Sequence, residues 1–249
     1  MKLFNVIDIE TSSYCNRRCA TCLRNSWPDR NAVRVMFDQQ FMPVDVYSQL
    51  LRQCADLDFR GRICLCHWNE PLLDPRLPDL ARMAAAYRRW ILSLSTNGDA
   101  LTEELASRLD GVLDQISISV YSDIVDKTDW FMSLFKKTQV RIKGLHRVAH
   151  HNPRGIPLVD RPCRQAPRRC IVAHNGQYLY CCEDLTGQFR FGYFPQISLR
   201  AYWFGDRHVK MWDGLRQSRG RHKYPYCMTC PWAFERAEPG SPVAVYTRP

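Results

Sequence analysis

Strand-like apolar runs alternate with helix-like segments through the first 150 residues, and this alternation constrains the fold more than any other feature of the sequence. The strands are predicted over residues 3–9, 62–66, 91–95, 115–120 and 140–143. The helices are predicted over residues 44–57, 77–89 and 102–109. Parallel neighbouring strands need crossover connections of about a dozen residues or more, which are usually helices. The pattern therefore predicts an α/β fold built on a parallel sheet or partial barrel.

The sequence changes character near residue 150. Residues 150–157 are rich in turn formers, and six of the twelve cysteines follow them. A β-hairpin with an Asn175-Gly176 turn is predicted over residues 170–180, and a helix over residues 208–217. These signals divide the chain into a main domain at 1–150, a smaller domain at 151–240 and a poorly ordered tail at 241–249.

The composition is that of a folded chain without a membrane anchor. The 249 residues are 45% hydrophobic and carry a formal net charge of 35 − 25 = +10. No run approaches the roughly 18 apolar residues of a membrane helix, and the N-terminus does not resemble a signal peptide. We therefore expect a cytoplasmic protein, with a monomer as the simplest oligomeric state. Because disulfides are rare in the cytoplasm, the twelve cysteines are predicted to be ligands or reactive thiols.

Three cysteines, Cys15, Cys19 and Cys22, lie close together just after the first predicted strand. A closed zinc site requires four ligands, commonly in two pairs. The C-x3-C-x2-C spacing suits three corners of a cubane [4Fe-4S] cluster and leaves one iron free to bind a small molecule. A zinc knuckle or three unrelated buried thiols are the alternatives.

This motif, in the loop after the first strand, resembles the signature of the radical SAM enzymes. The resemblance implies a partial (β/α)6 TIM-like barrel in which Cys15, Cys19 and Cys22 hold a [4Fe-4S] cluster. It further implies that S-adenosyl-L-methionine binds the open iron and is cleaved to a 5′-deoxyadenosyl radical, which abstracts hydrogen from the substrate. A flavodoxin or ferredoxin is the electron donor that the resemblance implies.

Other segments resemble cofactor-binding motifs of the same family. Trp68-Asn69-Glu70-Pro71 resembles the segment that binds the methionyl amino group, which implies a contact from Glu70. Ribose and carboxylate contacts are implied after the third strand and on the fourth, for Ser95, Thr96, Asn97, Ser117 and Ser119. Two positions depart from the family pattern: Asn69 replaces a glycine, and Thr21 replaces an aromatic residue near the adenine.

A second group of cysteines comprises Cys163, Cys181, Cys227 and Cys230. From the residues alone, four thiolates suit either zinc or a [4Fe-4S] cluster. Their arrangement around the hairpin resembles the twitch form of the SPASM extension in carbohydrate-modifying radical SAM enzymes. That resemblance implies a small C-terminal domain with one auxiliary [4Fe-4S] cluster, and structural zinc is the alternative.

The remaining candidates concern the fate of the substrate radical. Dehydrogenation needs a base and an electron acceptor, whereas epimerisation needs a hydrogen donor, for which a thiol is suited. The residues considered for these roles are Cys170, Cys182, Arg154 and His67. Five cysteines lie outside both groups, and Ser95 stands where a related dehydrogenase has a tyrosine. We therefore expect epimerisation at a carbinol carbon of a sugar or aminocyclitol in antibiotic biosynthesis, with dehydrogenation as the alternative.

Two further functions are weighed against this one. Modification of a ribosomal peptide is an alternative because peptide-modifying relatives use the same type of extension. The positive net charge raises the alternative of a metal-stabilised RNA-binding protein. The basic residues occur only in short scattered runs, such as Arg17-Arg18 and Arg168-Arg169, and no nucleic-acid-binding motif accompanies them. Nucleic acid is therefore not expected as a partner.

Overall fold

The structure is a computed structural model that describes residues 2–19, 22–121, 124–144, 162–163, 168–224, 227–228, 230 and 245–247. Its strands are β1 (Val6–Ile9), β2 (Arg62–Cys64), β3 (Ile91–Thr96), β4 (Gln115–Val120), β5 (Gln139–Gly144), β6 (Arg169–Val172), β7 (Tyr178–Leu179) and β8 (Val245–Thr247). Its helices are α1 (Leu23–Ser26), α2 (Arg30–Met36), α3 (Val44–Asp56), α4 (Leu77–Ala85), α5 (Glu103–Leu109), α6 (Thr128–Ser133), α7 (Leu199–Phe204) and α8 (Asp206–Leu215). Short 3-10 helices occur at Pro71–Leu73, Val125–Lys127 and Gly220–Lys223.

Within the described residues, one sheet of eight strands forms the centre of the molecule, in the order β7-β6-β1-β2-β3-β4-β5-β8. The six strands from β6 to β5 in this order are parallel to one another. Strands β7 and β8 pair antiparallel at the two edges. The predicted α/β fold with a mostly parallel sheet is confirmed, and all five strands predicted in the first 150 residues are present.

The predicted hairpin is also present, and it extends the main sheet. Strand β6 pairs with β7 on one side and with β1 on the other, where Cys170 is opposite Ile7. The turn requires glycine because Gly176 has a φ of +83° and a Cβ there would lie 2.3 Å from the Phe194 carbonyl oxygen. The domain boundaries expected near residues 150 and 240 lie outside the described residues, so the division into domains stays a prediction.

Side chains alternate along each strand, and the two faces of the sheet differ in polarity. One face carries Ile7, Ile63 and Leu92 in register and packs with helices α3, α4 and α5 in the main core. The other face, which we call the polar face, carries in register Asp8, Cys64, Ser93, Gln115 and Gln139. The sheet therefore has a sealed apolar side and a side that can contact a polar ligand.

Side-chain caps fix the start of several helices. The Thr102 hydroxyl accepts a hydrogen bond from the Leu105 N–H at the start of α5, at 3.1 Å. Ser198 caps α7 in the same way, through the Ala201 N–H at 3.1 Å. The sequence pattern did not predict α1, α2, α6 or α7, which have four to seven residues and therefore give a weak periodic signal. Helix α5 also has seven residues, and it was predicted together with its cap at Thr102. None of the helices in the described part of the chain has both the length and the hydropathy needed to span a membrane.

Candidate active site

Glu70 joins the ends of two neighbouring strands at the carboxyl edge of the sheet. One carboxylate oxygen accepts hydrogen bonds from the Thr96 hydroxyl at 2.6 Å and from the Leu72 N–H at 3.1 Å. The other accepts the Asn97 N–H at 2.7 Å. Burial raises the pKa of the Glu70 carboxyl, and these three hydrogen bonds oppose that rise. The predicted cofactor residues Glu70, Thr96 and Asn97 therefore form one connected unit.

The loop with the first three cysteines is attached to this unit. The Asn97 side chain donates to the Asn16 side-chain oxygen at 2.8 Å. Asp99 accepts from Asn16 at 2.7 Å and from Arg17 at 2.7 and 2.5 Å. The Arg17 guanidinium also lies 4.0 Å from the centre of the Tyr121 ring. These contacts hold the cysteine loop against the ends of β3 and β4.

The three thiols of that loop are partly exposed. The Cys19 thiol lies 3.4 Å from the Tyr121 hydroxyl, and the Cys22 N–H donates to the Cys19 carbonyl at 3.0 Å. Burial raises the pKa of the Cys15 thiol, and the neighbouring Cys22 charge contributes to that rise. The loop therefore presents three thiols together, beside the unit built around Glu70.

The donor chemistry of this loop fits an iron–sulfur cluster. Across the described residues, no group of three or more His, Cys, Asp or Glu side chains is close enough to hold a single metal ion. In a cubane each thiolate binds a different iron, so its ligands lie farther apart than those of one ion. Three partly exposed thiols in one loop therefore suit a cluster better than a mononuclear zinc site.

The second group of cysteines comes from three separate parts of the chain. The Cys163 N–H donates to the Leu215 carbonyl at the end of α8, at 2.8 Å, and Cys181 follows β7. Burial, with charge on the neighbouring Cys230 and Cys163, raises the pKa of the Cys227 thiol to about 12. Burial and several nearby charges, including Cys230, raise the pKa of Cys181 well above its usual range. The four thiols are thus within electrostatic range of their neighbours in the group.

A buried histidine and aspartate lie on the polar face. His67 Nδ1 is 3.1 Å from Asp8 Oδ2, and the side chains are only 7% and 1% exposed. Arg169 of β6 donates to the same Asp8 oxygen at 2.5 Å. Burial raises the pKa of the Cys182 thiol well above its usual range, and the charges of Arg169 and Asp8 also act on this thiol. Of the predicted catalytic residues, His67 and Cys182 are therefore brought to one region.

Two further thiols face the same side. The sulfur atoms of Cys64 and Cys66 are 3.4 Å apart, and the Ser95 N–H donates to Cys66 at 3.2 Å. The hydrogen bond from Cys66 lowers the pKa of Cys64, and that same bond together with burial raises the pKa of Cys66. The thiols of Cys64 and Cys66 therefore lie between Asp8 and the end of β3.

The other predicted site residues have different positions. Ser95 and Ser117 are opposite each other in register, and Ser119 lies two residues further along the same face. Cys170 is fully buried on the apolar face, opposite Ile7, where burial raises its pKa well above the usual range. The structure does not bring Cys170 to the polar face with Cys182. Arg154 lies outside the described residues.

The sequence analysis missed Asp8 and Arg169. Asp8 lies inside the apolar strand β1, where a charged residue that is 1% exposed signals a paired or functional group. This signal was available, since Asp8 and Glu10 interrupt the apolar run at every second position. Arg169 carried no such signal, because only the pairing of β6 with β1 brings it to Asp8.

The model of the Radical SAM superfamily matches residues 9–150 of this chain, a range that contains the first cysteine loop, Glu70 and Asn97. The chain belongs to the radical SAM superfamily. Membership implies a [4Fe-4S] cluster and S-adenosyl-L-methionine, and it assigns the protein to the enzymes. The predicted family is therefore confirmed.

Individual proteins and solved structures are also similar to this chain. The chain is 26% identical over 247 residues to the S-adenosyl-L-methionine-dependent 2-deoxy-scyllo-inosamine dehydrogenase of Niallia circulans, with 92% of this chain and 93% of that protein covered. The crystal structure of BtrN in complex with AdoMet and 2-DOIA has a TM-score of 0.76 at 24% identity, over 92% of this chain and 94% of that chain. The structure of anSMEcpe with bound AdoMet has a TM-score of 0.62 at 12% identity, over 90% and 87% of the two chains. These structural matches confirm the predicted radical SAM fold class.

Proposed function

We propose that this radical SAM enzyme is a dehydrogenase that oxidises a carbinol carbon of a sugar or aminocyclitol to a ketone. The observation that carries the proposal is the likeness to 2-deoxy-scyllo-inosamine dehydrogenase, which extends over 92% of this chain. The surplus cysteines, and Ser95 at the position of a tyrosine in a related dehydrogenase, led to epimerisation as the expectation from sequence. The relationship to a dehydrogenase supports the alternative reaction better.

In this proposal, Cys15, Cys19 and Cys22 hold the first cluster, and Glu70 holds the methionyl ammonium group. When bound, the cluster and S-adenosyl-L-methionine supply a 5′-deoxyadenosyl radical that removes the carbinol hydrogen. The Glu70 oxygen that faces Asn97 accepts one hydrogen bond from the protein, so it keeps a lone pair for the ammonium. Ser95, Thr96, Asn97, Ser117 and Ser119 are the proposed ribose and carboxylate contacts.

Cys163, Cys181, Cys227 and Cys230 are proposed to hold a second [4Fe-4S] cluster, which would accept the electron that the substrate radical loses. The electrostatic interactions among these four buried or half-buried thiols support a shared metal centre. Four thiolates also suit zinc, which has no redox chemistry. Zinc at this site would leave the proposed oxidation without its acceptor.

The polar face is the proposed binding surface for a small polar substrate. Asp8 and Arg169 offer opposite charges, which suit the amine and hydroxyl groups of an aminocyclitol. His67 lies beside them. Arg154 is a further proposed substrate contact, and Cys182 is proposed to border the same surface.

Epimerisation is the second candidate, and the Cys64–Cys66 pair favours it. The two sulfurs are 3.4 Å apart on the polar face, so a thiol hydrogen is available on that side. Cys182 is a second proposed donor, beside Arg169. Epimerisation would return a hydrogen atom to the carbon and leave no ketone.

The remaining features of the proposal concern the surroundings of the enzyme. We infer a cytoplasmic monomer that receives its electron from a flavodoxin or ferredoxin. These inferences rest on the sequence and on the family resemblance.

The test uses anaerobically reconstituted enzyme with S-adenosyl-L-methionine, a one-electron reductant and a panel of aminocyclitols that includes 2-deoxy-scyllo-inosamine. The expected product is a ketone that has lost two hydrogens, with about one 5′-deoxyadenosine formed for each ketone. The Cys15→Ala/Cys19→Ala/Cys22→Ala variant is the control and is expected to form neither product. A stereoisomer that has the mass of the substrate in ordinary water and carries one deuterium when the reaction is run in deuterated water would contradict dehydrogenation and establish the second candidate.

A further inference from the structure

The pair formed by His67 and Asp8 leaves two buried polar atoms without a partner. His67 Nδ1 lies 3.1 Å from Asp8 Oδ2, and in the tautomer that donates a proton from Nδ1 to this carboxylate, Nε2 carries the lone pair. Among the described residues, neither His67 Nε2 nor Asp8 Oδ1 has a hydrogen-bond partner, although both atoms are buried. Buried polar atoms normally have hydrogen-bond partners, and a polar ligand that reaches this pair would supply them.

The position of the pair relates it to the cofactor residues. His67 lies three residues after the end of β2 and three residues before Glu70, at the carboxyl edge of the sheet. Asp8 is on β1, the neighbouring strand, in register with Cys64. In parallel α/β sheets, ligands bind at the carboxyl ends of the strands. A substrate bound at this edge would lie close to both His67 and the cofactor residues.

A cationic side chain from the neighbouring strand also holds the carboxylate in place. Arg169 Nη1 donates to Asp8 Oδ2 at 2.5 Å, and the Arg169 side chain is 33% exposed. Asp184 also interacts electrostatically with His67. His67 thus has an aspartate that orients one ring nitrogen and leaves the other free, as in a general base.

We propose that His67 is the base that removes the hydroxyl proton of the substrate, and that Asp8 positions it. The inference rests on the proposed dehydrogenation. The carbinol C–H bond breaks first, and its hydrogen atom passes to the 5′-deoxyadenosyl radical. The O–H bond then breaks, its electron pair stays on oxygen, and the proton moves to Nε2. The unpaired electron leaves the carbon for a one-electron acceptor, an iron–sulfur centre, as the C=O bond forms.

The experiment separates hydrogen abstraction from ketone formation. A substrate deuterated at the carbinol carbon is supplied to wild-type enzyme and to His67→Gln, and both deuterated 5′-deoxyadenosine and ketone are counted. We expect His67→Gln to transfer deuterium but to form on the order of 100-fold less ketone per deuterated 5′-deoxyadenosine, the lower end of the range for a lost general base. A substrate-radical signal is expected to accumulate in the EPR spectrum of the variant.

Two other variants complete the design. His174→Gln is the matched control, because His174 is also buried beside an aspartate, with Nε2 3.3 Å from Asp38. It should keep the wild-type ratio. Asp8→Asn should lower the ratio about tenfold, since the ring loses its anchor, and it provides the test if His67→Gln loses its cluster iron.

The outcomes distinguish the inference from the proposed function. An equal ratio of ketone to deuterated 5′-deoxyadenosine in His67→Gln and wild type would overturn the inference alone. A wild-type enzyme that forms no ketone from any alcohol in the panel would overturn the proposed function, and the inference with it.

Discussion

The two cysteine groups differ in how the chain assembles them. Cys15, Cys19 and Cys22 belong to one loop, which Asn97 and Asp99 attach to the end of β3. The second group combines Cys163, Cys181 and the Cys227–Cys230 pair, from three distant parts of the chain. The first group therefore lies within one short loop, whereas the second group comes together only when distant segments of the chain have folded against one another.

This difference predicts different dependence on metal. A local loop closes at little entropic cost, and its bonds to Asn97 and Asp99 come from the side chains of Asn16 and Arg17, not from the thiols. Bringing distant segments together costs chain entropy, which metal binding can offset because ligand binding to the folded state adds to its stability. We expect substitutions in the first group to lower activity alone. Substitutions in the second group should lower both the activity and the free energy of unfolding.

The largest effect is expected for Cys19→Ala. Loss of one of three cluster ligands should reduce S-adenosyl-L-methionine cleavage by on the order of 1000-fold or more, about 4 kcal/mol. The melting temperature should change little, since the Cys19 thiol is partly exposed and lies beside the Tyr121 hydroxyl. Formation of 5′-deoxyadenosine measures the first effect, and anaerobic thermal unfolding measures the second. The control is Arg18→Ala, an exposed change in the same loop. Normal cleavage of S-adenosyl-L-methionine by Cys19→Ala would contradict the role of the first group as cluster ligands.

Cys227→Ala tests the other group. We expect it to lower the free energy of unfolding by about 3 kcal/mol, because loss of a metal removes a constraint among three segments. Cleavage of S-adenosyl-L-methionine should continue, with less ketone per 5′-deoxyadenosine. Anaerobic urea unfolding and product counting are the measurements. Cys182→Ser is the control for iron content, since Cys182 directly follows a proposed ligand. An unchanged free energy of unfolding in Cys227→Ala would show that the second group does not stabilise the fold.

Gly176→Ala tests how much the hairpin turn contributes to stability independently of the metal site. Its φ of +83° and the 2.3 Å approach of a Cβ to the Phe194 carbonyl oxygen should cost about 2 kcal/mol of stability. Gly144→Ala is the matched control, since nothing lies within 4 Å of a Cβ at that position, and it should change stability by less than about 0.5 kcal/mol. Equal unfolding free energies for the two variants would contradict the structure of the turn.

The smallest effect concerns the acid stability of the C-terminal region. His208 is 1% exposed, its Nδ1 lies 2.9 Å from the Trp203 carbonyl oxygen, and burial lowers its pKa to about 4. Because the unfolded chain has a pKa of about 6.5 at this site, the neutral histidine stabilises the fold fully above pH 6.5, and this contribution is lost as pH falls toward 4.

We therefore expect a loss of about 1 kcal/mol between pH 7.0 and 5.5 in the wild type, which urea unfolding at several pH values would measure. His208→Phe should lack this part of the pH dependence, while His222→Gln, an exposed change, should retain it. An identical pH dependence in wild type and His208→Phe would rule out this explanation.

Local patterns predicted most of what is local in the structure. The alternation of strands and helices predicted β1 to β5 and α3 to α5, and the Thr102 cap holds the start of α5. The cysteine spacing and the Glu70 segment predicted the family. These features depend on side chains within one turn, one strand or one loop, so their signals are present in short stretches of sequence.

Contacts between distant segments were not predictable in the same way. The parallel pairing of β6 with β1 brings Arg169 to Asp8, and no local pattern encodes this pairing. Cys170 was expected as a candidate at the active site, but strand register places it on the apolar face opposite Ile7. Which face a cysteine occupies depends on register, and register is a property of the whole sheet.

The most direct test of the account is the iron and sulfide content of anaerobically reconstituted protein, compared with the Cys15→Ala/Cys19→Ala/Cys22→Ala variant. The account predicts about eight irons in the wild type and about four in the variant, since each [4Fe-4S] cluster holds four. Zinc at the second group, with about four irons in the wild type and none in the variant, would contradict the electron acceptor that the proposed oxidation requires.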